Sequence, residues 1–467
     1  MTANSGDLIE QLRSLLGDEG VLSGGAVSER TVGIWDDRTL QAKAIARPAD
    51  TDELAGVMRL CHAAGQTVVT HGGLTGLVQG AVASADDLVV SLERMNRIEE
   101  VDVNGRCLVA QAGVPLQKAQ EAAQEHDLSL QLDLGARGSC TLGGNVSTNA
   151  GGNRVIRFGM TRDLVLGLEA VLADGTVISS MNRMLKNNAG YDLKQLFIGT
   201  EGTLGIVTRV ILRLHPAWRS ENTALVACES FDQVAALLDR LDRDLGGHLS
   251  AFECMWQDFY RCTTAGTTPP LASDYPFYVL VEALGSEPDS DQARFLEVLG
   301  AAQEGGVICD AVVAKSVAER EALWAIRDSV EHCLEFGPGF IFDVSLPLAA
   351  MNAYVDQVLQ HLGSIWPDHR SFAFGHVGDG NLHFVISPDT GAAADELRAR
   401  VEACVYEPLQ ACGGSVSAEH GIGLEKKDWL QVSRSAGEIA LMNRLKRALD
   451  PQGLLNPGKV IPAVENE

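Results

Sequence analysis

Hydrophobic positions change their period along this chain. From Thr51 to Gly65 (TDELAGVMRLCHAAG) apolar side chains recur at helical spacing behind a Thr51/Asp52 capping signal, which predicts an amphipathic helix. Gln66–His71 follows as a short β-rich run, so a helix feeds a buried strand. Asp87–Leu92 and Cys107–Gln111 predict further strands and Leu116–His126 a helix. Leu164–Leu172 and Thr176–Ser179 predict a hairpin about Ala173-Asp174-Gly175. His215-Pro216 closes this part, because proline removes an amide and restrains the residue before it. A second region alternates strand and helix: Ala224–Cys228, Phe231–Leu241, Phe277–Glu282, Asp289–Gly300 and Val307–Ala314. That order predicts an α+β sandwich. Thr263–Ser273 reads as a loose loop, and Ile439–Leu449 as a helix stopped by Asp450-Pro451-Gln452-Gly453.

Length and charge narrow the class. At roughly 100–200 residues per domain, a chain of 467 residues holds two to four domains. An apolar fraction of 46% with 21% charged residues excludes fibrous, disordered and disulfide-scaffold proteins. The formal net charge of −25 repels phosphate backbones and anionic membranes. The acidic N-terminal stretch, with Asp7, Glu10, Asp18 and Glu19, lacks a leader pattern, so a cytoplasmic protein is expected. Ten scattered cysteines include no C-x-x-C pair, which predicts small buried hydrophobes rather than a zinc ribbon or a dithiol motif.

Three polar glycine segments carry the first chemical signal. His71-Gly72-Gly73-Leu74-Thr75-Gly76 follows a β-rich run, where small residues let backbone amides face one concavity, as a diphosphate requires. Its spacing is neither the Rossmann nor the P-loop pattern. The second segment, residues 134–152, holds six glycines together with Ser, Thr and Asn donors, and Gly199–Val207 repeats the theme before a strand. Three such segments imply a large, extended, polar ligand.

These segments resemble the FAD-binding domain of the vanillyl-alcohol-oxidase-type flavoproteins. From about Arg47 to Pro462 the order of motifs resembles the D-2-hydroxyglutarate and D-lactate dehydrogenase branch, most closely over Gly190–Gly199 and Ser415–Gly421. The resemblance implies an α+β protein. It would have a two-subdomain FAD-binding domain at 1–216, a ferredoxin-like substrate (cap) domain with a metal site at 217–430, and a C-terminal helical segment at 431–467. It implies flavin contacts from Thr70, His71, Gly72, Gly73, Leu74, Thr75, Gly76 and Leu77 in the first segment. The second would supply Asp133, Gly135, Ser139, Gly143, Gly144, Asn145, Thr148, Asn149 and Gly151. Glu201, Gly205, Ile206, Val207 and Asn456 would complete the set. Members that link FAD covalently often carry His where this chain has Leu74, so noncovalent FAD is expected. The family's electron acceptor is generally a flavoprotein or quinone, and many members are dimers.

A second constellation lies at Ser371–Ser387 (SFAFGHVGDGNLHFVIS), two alternating runs joined through Gly378-Asp379-Gly380-Asn381. If Asp379-Gly380 is a two-residue turn, His376 and His383 become cross-strand partners about 5.5 Å apart at Cα. Asn381, two residues before His383, then shares its face. Glu419 places a carboxylate beside a third imidazole, His420. Two His and one carboxylate suit a divalent transition metal with open positions. By resemblance His376, His383 and Glu419 are the metal ligands and His420 the base. Zinc heads a list that also holds manganese, iron and cobalt. Such a site lowers the pKa of a bound hydroxyl so that an imidazole can take its proton as hydride passes to flavin N5.

Arg327, on a predicted helix, matches the family's α-carboxylate arginine, against the alternative of an i, i+4 ion pair with Glu331. Two positions depart from the hydroxyglutarate branch. Ile341 stands where that branch has a lysine, and Glu331 where it has Ser or Thr. Losing a cation and gaining an anion disfavours a second carboxylate by ~2–5 kcal/mol. An apolar, aromatic or uncharged tail is therefore expected, unless a neighbour such as His332 compensates. The expected activity is FAD- and metal-dependent oxidation of a D-2-hydroxy acid to the 2-oxo acid, with Arg327, Asn381, Glu331, Ile341 and His420 about the substrate. The alternatives are a same-fold aldehyde or phenol oxidase and a non-catalytic flavin- and zinc-binding electron-transfer partner.

Overall fold

The computed structural model describes residues 5–388, 392 and 394–462. The ends of the expected first and last segments, 1–4 and 463–467, lie outside them. The chain forms two compact units, one of residues 1–151, 160–217 and 419–467, the other of residues 152–159 and 218–418.

The first unit holds two sheets. The smaller has the order β1 (Val21–Ser23), β2 (Ala44–Ala46), β4 (Leu88–Ser91), β3 (Val68–His71), with β2, β3 and β4 mutually parallel. The crossover into β3 is helix α1 (Thr51–Ala64), capped one residue earlier than the sequence signal, by the Asp50 carboxylate accepting from the Glu53 amide. Gly65, at φ +63°, ends the helix with the left-handed turn that glycine adopts without strain. The second sheet is antiparallel, in the order β5 (Ile98–Asp102), β6 (Cys107–Gln111), β9 (Ile206–Arg213), β7 (Val165–Val171), β8 (Val177–Ser180). Strands β7 and β8 form the expected hairpin, closed by the Leu172 amide on the Thr176 carbonyl at 2.9 Å. Leu54, Met58, Val68 and Leu88 pack with Leu108, Leu168 and Val210 in one core. Burial of this area is the main stabilising term, roughly 25 cal/mol per Å² of apolar surface.

The second unit is built on a seven-stranded antiparallel sheet. Its elements in chain order are β10 (Ser220–Cys228), α2 (Phe231–Asp244), β11 (Leu249–Trp256), β12 (Phe277–Gly285), α3 (Pro288–Glu304), β13 (Asp310–Val313) and α4 (Val317–Asp328). Strand β14 (Phe340–Ser345), α5 (Leu348–Ile365), β15 (Arg370–Gly375) and β16 (Asn381–Ser387) follow. The strand order is β13-β10-β12-β11-β15-β16-β14. One face packs Met255, Tyr278, Phe372, Phe374 and Val385 against Phe259, Tyr260, Leu323 and Cys333.

The expected boundaries differ from the observed ones at two places. Residues 152–159 leave the first unit because Arg154 pairs with the buried Glu282 of β12 at 2.9 Å and Arg157 donates to the Leu284 carbonyl at 2.6 Å. The chain rejoins the first unit at Glu419 rather than at residue 431. Among the described residues no helix is long and apolar enough to cross a membrane.

Candidate active site

The first glycine segment leaves β3 at His71 and turns through Leu74 at φ +57°. The amides of Gly73, Leu74, Thr75, Gly76 and Leu77 donate to no protein acceptor among the described residues. Successive amides in such a turn make a concavity for anionic oxygens. A Cβ on Gly73 would lie 2.2 Å from the Ser139 carbonyl oxygen and one on Gly72 2.8 Å from Thr141 Oγ1, whereas at Gly76 or Gly135 it would meet nothing within 4 Å. Tight glycines therefore seat the first segment on the second, and open ones leave room for a ligand.

The second segment folds into a short helix, Leu142–Thr148, whose N-cap Thr141 accepts from the Gly144 amide. Gly143 lets this helix approach β6, since a Cβ there would sit 2.6 Å from that of Ala112. Asn145 is buried, Thr148 Oγ1 donates to the Gly144 carbonyl at 3.1 Å, and Asn149 takes φ +51°. Asp133 pairs with Arg137 at 3.3 Å, and Gly151 is buried at the segment's end. The third segment docks on the second through the Gly199 amide on the Val146 carbonyl (3.0 Å) and the Glu201 amide on the Ser147 carbonyl (2.8 Å). Gly205 lies against Phe197, while Ile206 and Val207 are buried core residues of β9, paired with Val171 and Ala170 of β7. Asn456 ties the set together, its Oδ1 accepting from the Thr70 amide and its Nδ2 donating to the Glu201 carbonyl. Open glycines, acceptor-free amides and Ser, Thr and Asn donors in one unit fit the extended diphosphate of FAD.

In the second unit Asp343, fully buried on β14, pairs in register with His383 on β16, and its Oδ1 lies 3.8 Å from His383 Nδ1. Asn381 Nδ2 donates to Asp343 Oδ1 at 2.8 Å, and Ser417 Oγ and the Ala418 amide donate to Oδ2 at 3.2 and 3.1 Å. The expected hairpin register is corrected: the partner of His383 across β15 is Phe374, not His376. The connection is a 3-10 turn, Val377–Asp379, followed by Gly380 at φ +86°, so His376 falls just past the strand. The two imidazoles still meet edge to face with centroids 5.2 Å apart.

His376 Nδ1 lies 2.6 Å from Glu253 Oε1, Arg327 Nε donates to Glu253 Oε2 at 2.8 Å, and Arg327 Nη2 lies 3.3 Å from His376 Nε2. A guanidinium only donates, so Nε2 is the acceptor and Nδ1 carries the proton given to Glu253. Burial pushes the Glu253 carboxyl up, but His376 and Arg327 beside it outweigh burial and hold it at about 2. Glu331 is exposed on the turn Val330–Leu334, and Ile341 is 40% exposed. Ile341 precedes Asp343 by two strand positions and so shares its face. Glu253 and Asp343 are the site residues that the sequence reading passed over. Each is a lone acid inside an apolar strand, a pattern that signals a buried partner.

Glu419 and His420 open the last segment of the first unit, following Ala418 without a break. Asp343 and His383 offer ligand atoms within 4.8 Å of each other, as do Glu419 and His420. The Glu201 carboxylate accepts from the Ile422 and Gly423 amides at 2.7 and 2.9 Å.

Fold and site define a flavin-dependent oxidoreductase, and comparison with known proteins agrees. Residues 42–180 match the FAD binding domain family, and residues 218–460 the C-terminal domain of FAD linked oxidases. p-Cresol methylhydroxylase superposes with a TM-score of 0.76 at 16% identity, covering 99% of this chain and 98% of its own. 4-Ethylphenol oxidase from Gulosibacter chungangensis gives 0.75 at 18%, covering 98% and 97%. These likenesses establish the fold. The chain belongs to the FAD-linked D-2-hydroxy acid dehydrogenase family, enzymes that act on CH–OH groups. A D-2-hydroxyglutarate dehydrogenase of Xanthomonas citri pv. viticola is 41% identical over 91% of both chains. The mitochondrial D-2-hydroxyglutarate dehydrogenase of Arabidopsis thaliana is 37% identical over 97% of this chain and 81% of its own. A D-2-hydroxyglutarate–pyruvate transhydrogenase of Saccharomyces cerevisiae is 37% identical over 90% and 87%.

Proposed function

We propose that this protein oxidises a D-2-hydroxy acid to the 2-oxo acid with noncovalent FAD and a divalent metal, zinc first among the candidates. The observation that carries the reading is Asp343, which faces His383 and holds the Ala418 amide, one peptide before Glu419 and His420. His376, His383 and Glu419 would hold the ion, with Asp343 beside them, and His376 would do so through the Nε2 that here accepts from Arg327. Imidazole and carboxylate donors with buried partners suit such an ion. When bound, the flavin supplies a two-electron acceptor and the metal a Lewis acid for the substrate hydroxyl.

The chain's own groups do the rest. Arg327, fixed through Nε by Glu253, orients the substrate carboxylate by charge and fork geometry. A ring nitrogen of His420 takes the hydroxyl proton, and Asn381 holds Asp343 in place. Ile341 lies about 6.8 Å along β14 from Asp343, within reach of the substrate tail. With Glu331 nearby in sequence, it favours 2-hydroxyglutarate less than an acid with an apolar or uncharged tail. The electron acceptor in this reading is an electron-transfer flavoprotein or a quinone.

Anaerobic bleaching of the flavin band by D- and L-2-hydroxy acids, with and without chelator, tests it. His420→Asn and His383→Asn are expected to lose substrate-driven bleaching while retaining FAD, and normal turnover in both sinks the assignment. Rapid bleaching by D-2-hydroxyglutarate rather than by monocarboxylates would remove the tail argument alone. Unfolding on chelation, in place of lost activity with an intact fold, would favour a structural metal.

A further inference from the structure

The residue after the proposed base begins a turn built around a carboxylate. Gly421 and Gly423 take φ +90° and +52°, and between them the amides of Ile422 and Gly423 converge on Oε1 and Oε2 of Glu201. Two such amides flanked by left-handed glycines form an anion nest, and here the anion belongs to the protein. The fit is close, since a Cβ on Gly421 would lie 2.8 Å from Glu201 Oε1 and one on Gly423 2.0 Å from the Val78 carbonyl oxygen. Glu201 itself sits at φ +51° between Gly199 and Gly202, both left-handed. Its amide is held by Ser147 and its carbonyl by Asn456. The Leu424 amide donates to Val78, one residue past the first glycine segment, and Lys446 Nζ donates to the Thr203 carbonyl. Both carboxylate oxygens thus serve the chain beyond His420, although the sequence had suggested that Glu201 contacts the cofactor.

We propose that Glu201 is a positioning residue for His420: its carboxylate is a two-point anchor that ties the His420-Gly421-Ile422-Gly423 turn to the third flavin segment, so that the segments that seat FAD also set the base. The inference rests on the assignment of His420 as base.

The anchor requires two acceptors. In Glu201→Gln one oxygen remains, and the new NH2 confronts an amide N–H, so the turn loses one tie. In the flavin-loaded enzyme this variant is expected to retain FAD and substrate Kd while anaerobic flavin reduction slows about 100-fold, the scale of a 1 Å misplacement. Hydrogen exchange at Ile422 and Gly423 should rise with it. In a double-mutant cycle with His420→Asn the two effects should not multiply, because both act through one group. Glu201→Asp should recover part of the rate. If Glu201→Gln does not fold, Glu201→Asp and Gly421→Ala, which crowds the carboxylate, are read in the same way. An unchanged reduction rate, loss of FAD in place of loss of rate, or effects that multiply would each overturn the anchor. Normal turnover in His420→Asn alone would instead overturn the assignment of the base, and exchange at Ile422 and Gly423 would still report whether the tie exists.

Discussion

His71 is a neutral imidazole by construction. Burial pushes its pKa down to about 4 from an ordinary 6.5, against the opposing pull of the Ala81 carbonyl, which its Nε2 meets at 2.8 Å. Above pH 6.5 both folded and unfolded chains carry it neutral, so it has no effect on stability there. Between 6.5 and 4 the unfolded chain takes up the proton and the folded chain does not, so stability falls as the pH falls. The loss approaches about 3 kcal/mol at 1.36 kcal/mol per pKa unit. Urea midpoints measured from pH 7 to 4.5 should therefore fall more steeply in the native protein than in His71→Gln. Parallel curves would mean that His71 is hydrated. Glu253 has the opposite arrangement, a charge kept by the Arg327 guanidinium and the His376 ring N–H. Its role was hidden in the sequence because Arg327 and His376 lie 74 and 123 residues away.

Elements were legible where their signals are local. The β7–β8 hairpin follows from Asp174-Gly175 between β-rich runs, and the glycine segments declared a polar ligand because packing alone does not demand Ser, Thr and Asn beside so many glycines. The register of His376 was not legible. A Gly-Asp-Gly-Asn stretch permits a two-residue turn or a 3-10 turn, and the Asp379 amide on the His376 carbonyl, with the Gly380 amide on that of Val377, makes it the second. Gly73 tests the element scale directly. Adding a methyl at 2.2 Å from the Ser139 carbonyl must separate the first two glycine segments. Gly73→Ala is expected to raise the Kd of FAD at least tenfold, about 1.4 kcal/mol. Unchanged flavin affinity in equilibrium titration would show that the two segments need not touch.

At the scale of the molecule, the expected flavin residues come from stretches as distant as Thr70 and Asn456, all within the first unit. A ligand that binds only the assembled set stabilises it by about 2.7 kcal/mol at a concentration of 100 Kd. Stripping FAD should therefore raise hydrogen exchange together in residues 70–77, 142–151, 199–207 and 422–424, while β12 keeps its protection. Exchange rising in one segment alone would contradict a shared ligand. The excursion of residues 152–159 was not legible, since Arg154 and Glu282 stand 128 positions apart in the sequence. Nor was the return at Glu419, because the glycines that follow it, Gly421 and Gly423, mark a turn without saying which unit the chain joins.

That interleaving imposes an order on birth. Val68 of β3 takes its last backbone partners from Leu454 and Asn456, and the Thr70 amide waits for a side chain 386 residues downstream. At roughly 5–20 residues per second, the ribosome needs roughly 20 to 80 s to deliver it. Throughout that interval the nascent first unit carries an unfinished sheet and an open flavin cradle, while the whole second unit emerges and acquires its strands. Completion of the flavin site therefore waits until the ribosome has passed Asn456, and a chain cut before Leu454 lacks every one of these ties to β3 however well its earlier segments fold.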